Sequence, residues 1–323
     1  MASLKEIKTR IASVNSTRKI TSAMKMVASS KLHHAQVAIQ NMLPYENLLE
    51  HILKAFLVST PGAQSLFDES ERKVKRVALV VYSSNSSLCG GFNANILRLM
   101  EQAINEYRQQ GVTEIKVYPI GRKVAERIAK IGIPSAGDFL ELADKPNAKD
   151  CALIAQELSG QFRKGEVDRV ELIYHHFKSA GSQILTRSQF LPIDLSTENI
   201  GATNDRDLTS NLATAKAQEY LRKKAEQQER KQEEIKPLND DFIVEPDLET
   251  VIRVLVPKLL NLMVYTALLD SNASEHAARM VAMQTATDNA DELLKGLRLQ
   301  YNKSRQAAIT SELLDIVGGS VNN

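Results

Sequence analysis

The residues best suited to chemistry lie in one short run, Leu88-Cys-Gly-Gly-Phe-Asn93. It follows an apolar segment and precedes an amphipathic one, the position at which a doubly wound sheet receives phosphates on a helix N-terminus. The spacing argues against that use. It is not G-x-G-x-x-G, no Gly-Lys-Ser/Thr follows, and no acidic ribose partner stands in a recognisable setting. Glycines that let a helix pack closely on a strand are the commoner explanation. Cys89 is a candidate nucleophile, but the sequence positions no base for it, and a small buried thiol is the usual state. His33-His34 and His175-His176 are adjacent pairs. Neighbours on a helix or strand point in different directions, so neither pair offers two ligands on one face. Asp288, Asp291 and Glu292 lack metal-ligand spacing and read as a solvated acidic face. The reading is therefore no catalytic residue, no metal and no cofactor.

The elements that position this run alternate in type. Val77 to Tyr82 reads as a strand, Ser83 to Gly91 as turn, and Asn93 to Gln110 as an amphipathic helix. Ile115 to Ile120 gives a second strand, Gly121 to Ile131 a short helix and Cys151 to Arg163 another. Val167 to Phe177 and Gln183 to Pro192 read as strands joined by a hairpin at Lys178-Ser-Ala-Gly-Ser182. Such alternation predicts a Rossmann-like α/β domain over 74–195, its mostly parallel sheet covered on both faces and closed by an antiparallel edge.

Both ends of the chain differ from this middle. From Leu4, steps of three and four reach Ile7, Ile11, Val14, Arg18, Thr21, Lys25, Ala28, Leu32, Ala35, Ile39, Met42, Glu46, Leu49, Leu53 and Phe56; twelve of those sixteen positions are apolar. From Leu248 the same stepping passes Ile252, Leu255, Leu259, Leu262, Thr266, Leu269, Ala273, His276, Met280, Met283, Thr287, Ala290, Leu294, Leu297 and Tyr301 to Ser311. A heptad sustained this long predicts two coiled-coil helices, over 1–60 and 247–319, roughly 80 and 100 Å long at 1.5 Å per residue. The first seam has a defect. Ile20, Met24 and Val27 form a stripe displaced from Arg18, Thr21 and Lys25, so the apolar face is expected to rotate there, through a local change in supercoil or because the stripe meets something besides the partner helix. The second seam is rich in Ala, Ser, Thr and His, which bury little area per residue. Pro257 predicts a kink or a loose first turn.

Composition is that of a soluble protein, with 43% hydrophobic and 25% charged residues and a net charge of +2. There is no run of eighteen apolar residues and no apolar signal core at the start, so neither membrane spanning nor classical export is expected. Two cysteines fit a reducing compartment. Residues 1–31 hold seven basic side chains against one acidic, a cationic tip. Tyr220 to Lys236 carries ten charges of mixed sign in seventeen residues, within a charged linker over 203–240.

Particular stretches carry a resemblance that periodicity does not. Ala273-Ser-Glu-His-Ala-Ala-Arg-Met-Val-Ala-Met-Gln-Thr-Ala-Thr-Asp-Asn-Ala290, Tyr301 to Thr310 and Glu312 to Gly318 resemble the gamma subunits of rotary F-type ATP synthases. Ile7 to Val14, Lys19 to Lys31 and Leu88 to Asn93 do likewise. The resemblance implies a central rotor shaft of bacterial type: an antiparallel coiled coil of the two arms inside a ring of alpha and beta subunits, and an α/β foot near the membrane c-ring and the epsilon subunit. Ion flow would be coupled to ATP synthesis on beta, with no bond chemistry on this chain. It implies contacts to beta through Met24, Lys25, Arg305, Gln306, Thr310 and Glu312, and foot or ring contacts through Phe242 and Glu245. It also implies a peripheral place on the cytoplasmic face of the bacterial inner membrane, without membrane insertion and without nucleic acid.

The chain departs from that pattern at Asn85-Ser86-Ser87, where many relatives have Asp, a basic residue and Gly. The 203–238 stretch resembles an insertion. It has no cysteine, unlike the dithiol insertion of chloroplast members, which disfavours thiol control. The start lacks a basic, Ser-rich transit segment, which favours a bacterial origin. Two other readings compete: an α/β nucleotide-binding enzyme dimerised through helical arms, and a coiled-coil scaffold for nucleic acid. The second needs a basic stripe along the rod, yet residues 274–323 hold five basic and six acidic side chains.

Overall fold

A computed structural model describes residues 4–59, 74–193, 244–245 and 247–321. The charged 203–240 segment and Phe242 lie outside the described residues. The chain divides into two compact units, Ser29–Ala278 and the pairing of Met1–Ala28 with Arg279–Asn323.

The first is an α/β unit. Its strands are β1 (Arg76–Tyr82), β2 (Glu114–Ile120), β3 (Arg169–Ser179) and β4 (Ser182–Leu191), in the sheet order β2-β1-β3-β4. β1 runs parallel to both β2 and β3, with Val77 opposite Ile115 on one side and Arg169 on the other. β3 and β4 form the antiparallel hairpin. The mostly parallel sheet with an antiparallel edge is thus the one the alternation implied.

β1 explains why the sheet is covered twice. Val77, Leu79 and Val81 point to one face and meet Ile96, Met100 and Ile104 of α2 (Phe92–Gln109) and Val124 and Ile128 of α3 (Arg122–Ile131). Ala78, Val80 and Tyr82 point to the other. They meet Ile154, Ala155 and Leu158 of α5 (Ala148–Arg163), and Val256, Leu259, Leu260 and Val264 of the C-terminal helix α6 (Leu248–Val321). A strand buried on both sides needs the unbroken apolar run that the sequence shows. The short α4 (Leu140–Asp144) was not foreseen.

The long N-terminal helix α1 (Leu4–Ser59) enters this unit through Leu32, Ala35, Ile39 and Leu49, all buried seam positions. α6 continues as helix through Pro257 rather than ending there. By length and composition, one stretch between Thr250 and Leu314 is apolar enough to cross a bilayer, but half of it is buried in the protein. The apolar side chains of α6 from Ile252 to Leu268 contribute to the sheet's core. Polar clamps fix α6 in place: the Tyr82 hydroxyl donates to the Val264 carbonyl at 3.1 Å, Ser274 Oγ donates to the His175 carbonyl at 3.1 Å, and His176 Nδ1 lies 2.8 Å from Asp270.

The second unit is the terminal helix pair. Thr21 and Thr287 hydroxyls meet at 2.8 Å, and Arg18 Nη1 donates to Asp291 at 3.2 Å. As numbering rises on α1 it falls on α6, so the pair is antiparallel. Extending this register places Val14 opposite Leu294, Ile11 opposite Leu297, Ile7 opposite Tyr301 and Lys25 opposite Met283. Burial agrees, since Ile7, Met283, Leu294 and Leu297 are buried. The seam counted from sequence is therefore the inner face. It does not rotate at the defect: Thr21 is buried and Arg18 and Lys25 are half-buried, whereas Ile20 and Val27 are 60% and 58% exposed. Polar contacts hold the register there, which leaves the displaced stripe facing outward.

Candidate functional site

The Leu88 to Asn93 loop is a self-filled corner. Leu88 and Gly90 take left-handed φ values of 68° and 58°, turning the chain from β1 into α2. Asn93 Nδ2 donates to Ser84 Oγ at 2.8 Å and to Cys89 Sγ at 3.1 Å, while its Oδ1 accepts from the Ser84 backbone at 3.2 Å. The Phe92 ring stacks on His175 of β3 with centroids 4.4 Å apart. Side chains of the protein itself thus fill the corner at the carboxyl end of β1, beside β3, where a doubly wound fold would hold a nucleotide. Asn85, one of the departures noted in the sequence, ties this corner to its neighbours: Nδ2 donates to the Leu140 carbonyl and to Asp144, both at 2.7 Å, and Oδ1 accepts from the Arg122 backbone at 2.9 Å.

The other chemical candidates are structural as well. His175 and His176 point to opposite faces. Burial holds the His175 imidazole near a pKa of about 4, neutral at ordinary pH. Cys89 is buried in the corner, and burial pushes the Cys151 thiol up to about 12. His33 and His34 are exposed side by side with ring centroids 6.2 Å apart. No group of three or more potential ligands suited to a metal ion occurs among the described residues. The acidic cluster departs from expectation. Asp288 accepts from Gln284 at 2.7 Å on the surface, but Asp291 is half-buried and bound to Arg18.

The described residues among those expected to meet partners lie outside the apolar cores. Met24 and Lys25 are half-buried; Arg305, Gln306, Thr310 and Glu312 are exposed, and Thr310 Oγ1 donates back to the Gln306 carbonyl at 2.9 Å. They form two levels rather than one cluster. Lys25 faces the level of Met283, so Arg305 lies about 33 Å farther along α6 at 1.5 Å per residue. Glu245 is exposed in the α/β unit. Motif reasoning passed over Met26 on α1 and Leu293, Leu299, Ile309, Leu313 and Leu314 on α6. All are large apolar side chains left exposed, Leu299 at 75%. Their signal was in the sequence: each is apolar yet lies off the heptad seam.

Comparison with known proteins places the whole chain in a family. The chain matches the family described as ATP synthase over residues 3–321. It is 52% identical over 321 residues to the ATP synthase gamma chain of Phocaeicola vulgatus, covering 99% of this chain and 100% of the relative. It is 39% identical over 320 residues to that of Flavobacterium johnsoniae, covering 99% and 98%. Among solved structures, it resembles a chain of the Tetrahymena thermophila mitochondrial ATP synthase central stalk and c-ring, with a TM-score of 0.54 and 25% identity over 83% of this chain and 99% of that one. A chain of the Euglena gracilis mitochondrial ATP synthase shares the fold, with a TM-score of 0.60 and 18% identity over 99% and 94%. Fold and relatives together define a central-stalk subunit of a rotary ATP synthase. The chain belongs to the ATP synthase gamma chain family. Its role is that of the rotor shaft, a non-catalytic subunit in a complex whose catalysis takes place on beta.

Proposed function

We propose that the terminal helix pair is the surface on which the alpha and beta subunits ride, at two levels. One comprises Ile20, Met24, Lys25 and Val27. The other comprises Arg305, Gln306, Thr310 and Glu312 together with Leu299, Ile309 and Leu313. The observation that carries this reading is the set of large apolar side chains exposed off the seam, a pattern that marks interaction surfaces on soluble proteins. The arms 1–60 and 247–319 form the shaft in this reading. The 74–195 foot, with Glu245 and Phe242, faces the c-ring and epsilon on the cytoplasmic side of the bacterial inner membrane, and the 203–240 segment links foot to arm.

The mechanism follows from asymmetry. The two helices show different residues around their circumference, so three equivalent beta subunits cannot all meet the same face. Each face shifts the conformational equilibrium, and hence the nucleotide affinity, of the beta it touches, and rotation cycles those shifts. The cationic tip supplies attraction without a fixed partner, since exposed charge pairs are individually weak. Replacing Ile20 and Leu299 together by Asp in the assembled complex tests the reading. ATP-driven ion pumping should fall at least about tenfold, the scale of a 1.4 kcal/mol loss, while the free chain keeps its helix content. Unchanged pumping would refute it.

A further inference from the structure

Four of the hydrogen bonds described in the α/β unit tie α6 to the elements around it within about three turns of helix. From β1 the Tyr82 hydroxyl donates to the Val264 carbonyl at 3.1 Å. On β3, His176 Nδ1 lies 2.8 Å from Asp270 Oδ2, and the His175 carbonyl accepts from Ser274 Oγ at 3.1 Å. From the other direction, Asn272 Nδ2 donates to the Ala143 carbonyl of α4 at 2.9 Å. At about 100° per residue, Asp270 and Ser274 share one side of α6 and Asn272 projects from the opposite side. The helix is held from both flanks. Its packing changes along the same stretch: Leu259, Leu260, Leu262, Val264 and Leu268 are buried, but from Asp270 to Ala277 no buried side chain is a large aliphatic one. Small side chains make shallow ridges, which resist rotation of a helix poorly.

We propose that these four bonds lock α6 against turning about its own axis, so that torque passes between the α/β unit and the shaft. Tyr82, His176, Asp270, Asn272 and Ser274 are then positioning residues of the rotor. Burial of apolar area is non-directional and tolerates a small rotation; a hydrogen bond does not. A helix with its side chains is about 10–12 Å across, so a turn of about 15° moves a side-chain tip on its rim by about 1.5 Å. That displacement bends or stretches a 2.8 Å contact such as His176 to Asp270 out of hydrogen-bond geometry. Asp270 is fully buried, so no water replaces the lost partner cheaply. α6 runs unbroken from Leu248 to Val321 and carries the load into the terminal pair. The inference rests on the shaft role alone and not on which residues meet beta.

The test follows the angle of the α/β unit in single assembled complexes whose beta subunits are anchored and whose rotation is stalled with ADP. A probe on Lys130→Cys, exposed on α3, reports that angle, since Cys89 and Cys151 are buried. Tyr82→Phe with Ser274→Ala removes two of the four bonds and no charge. It should about double the angular variance, which scales inversely with stiffness. His176→Leu with Asp270→Leu replaces a buried polar pair by apolar side chains, so the free chain should unfold no more easily than the parent while the variance again rises. Asp270→Asn keeps a partner for His176 Nδ1 and should hold the variance at the parent value. Bonds that served stability alone would give the opposite result, with shifted unfolding midpoints and the parent's variance. That outcome overturns the inference, as does a variance that rises as much in Asp270→Asn as in the leucine pair. Where the leucine pair does not assemble, the Tyr82→Phe and Ser274→Ala pair decides by itself.

Discussion

The α/β unit and the terminal helix pair solve opposite problems with the same alphabet. In β1 every residue from Val77 to Tyr82 is at most 1% exposed, and the unit's polar side chains are largely tied to backbone or to one another. In the terminal pair Thr21, Thr287, Arg18 and Asp291 meet at the seam, while Ile20, Met26, Val27, Leu299 and Leu313 face out. The first arrangement completes its own core. The second leaves apolar area, worth about 25 cal/mol per Å² when covered, for a surface outside the chain. In the reading proposed above, a rotor-shaft subunit uses the closed core to hold its shape and the open apolar surface to meet its neighbours.

The contrast can be broken most sharply at Gly121. Its φ is +99°, and a Cβ there would come within 2.1 Å of the Ser83 carbonyl oxygen. Gly121→Ala should therefore cost ~3 kcal/mol or more in denaturant unfolding of the chain, from left-handed strain plus a forced backbone shift. A loss under about 1 kcal/mol would mean that the β1 and β2 loops are not rigid. Next in size, Leu79→Ala should cost about 2–5 kcal/mol, whereas Leu299→Ala should stay within about 0.5 kcal/mol. Similar losses at both sites would erase the distinction between a closed core and a surface awaiting a partner.

A pH titration sharpens the same contrast. Burial lowers the folded pKa of His175 to about 4, below the unfolded value of about 6.5. Between those values the unfolded chain binds the proton and the folded one does not, so stability falls as pH drops below about 6.5. This histidine alone should account for a loss of about 1.4 kcal/mol at pH 5.5. His175→Phe keeps a ring to stack on Phe92 and should flatten that part of the profile, read by denaturation at pH 7.5 and 5.5. An undiminished slope in the variant would place the titrating group elsewhere.

Much of this was legible in the chain. The two-sided burial of β1 shows as an unbroken apolar run, and the seam shows as steps of three and four that hold from Leu4 to Leu49 and again from Ile252 to Ala308; every one of these positions is buried or half-buried. The rotation expected from the stripe at Ile20 and Val27 does not occur, although the defect is real. What overturns it is a pair of cross-helix polar contacts, Thr21 to Thr287 and Arg18 to Asp291, which no single-helix pattern can reveal. For the same reason Asp291 looked like part of a solvated face. Leu299 and Leu313 are legible in a different way: periodicity says only that they are off the seam, and the partner surface proposed for them draws on exposure that a single-helix pattern does not give. Pro257 suggested a kink or a loose first turn, but α6 continues as helix through it.

The smallest expected effect tests what the polar seam contributes. Arg18 and Asp291 are 38% and 46% exposed, so solvent screens their attraction, and a double-mutant cycle with Arg18→Ala and Asp291→Ala should give a coupling of about 0.5 kcal/mol or less. Thr21→Val with Thr287→Val removes both hydroxyls at once and leaves no orphan, so the double variant should be neutral or slightly more stable than the parent, while each single change should cost about 1 kcal/mol. In that outcome the polar contacts do not hold the pair together. They keep a weakly cohesive pair from burying the outward apolar stripe in its own seam. A coupling above about 2 kcal/mol would reverse this, making the seam itself the source of the pair's stability and removing the physical reason for its apolar residues to face outward.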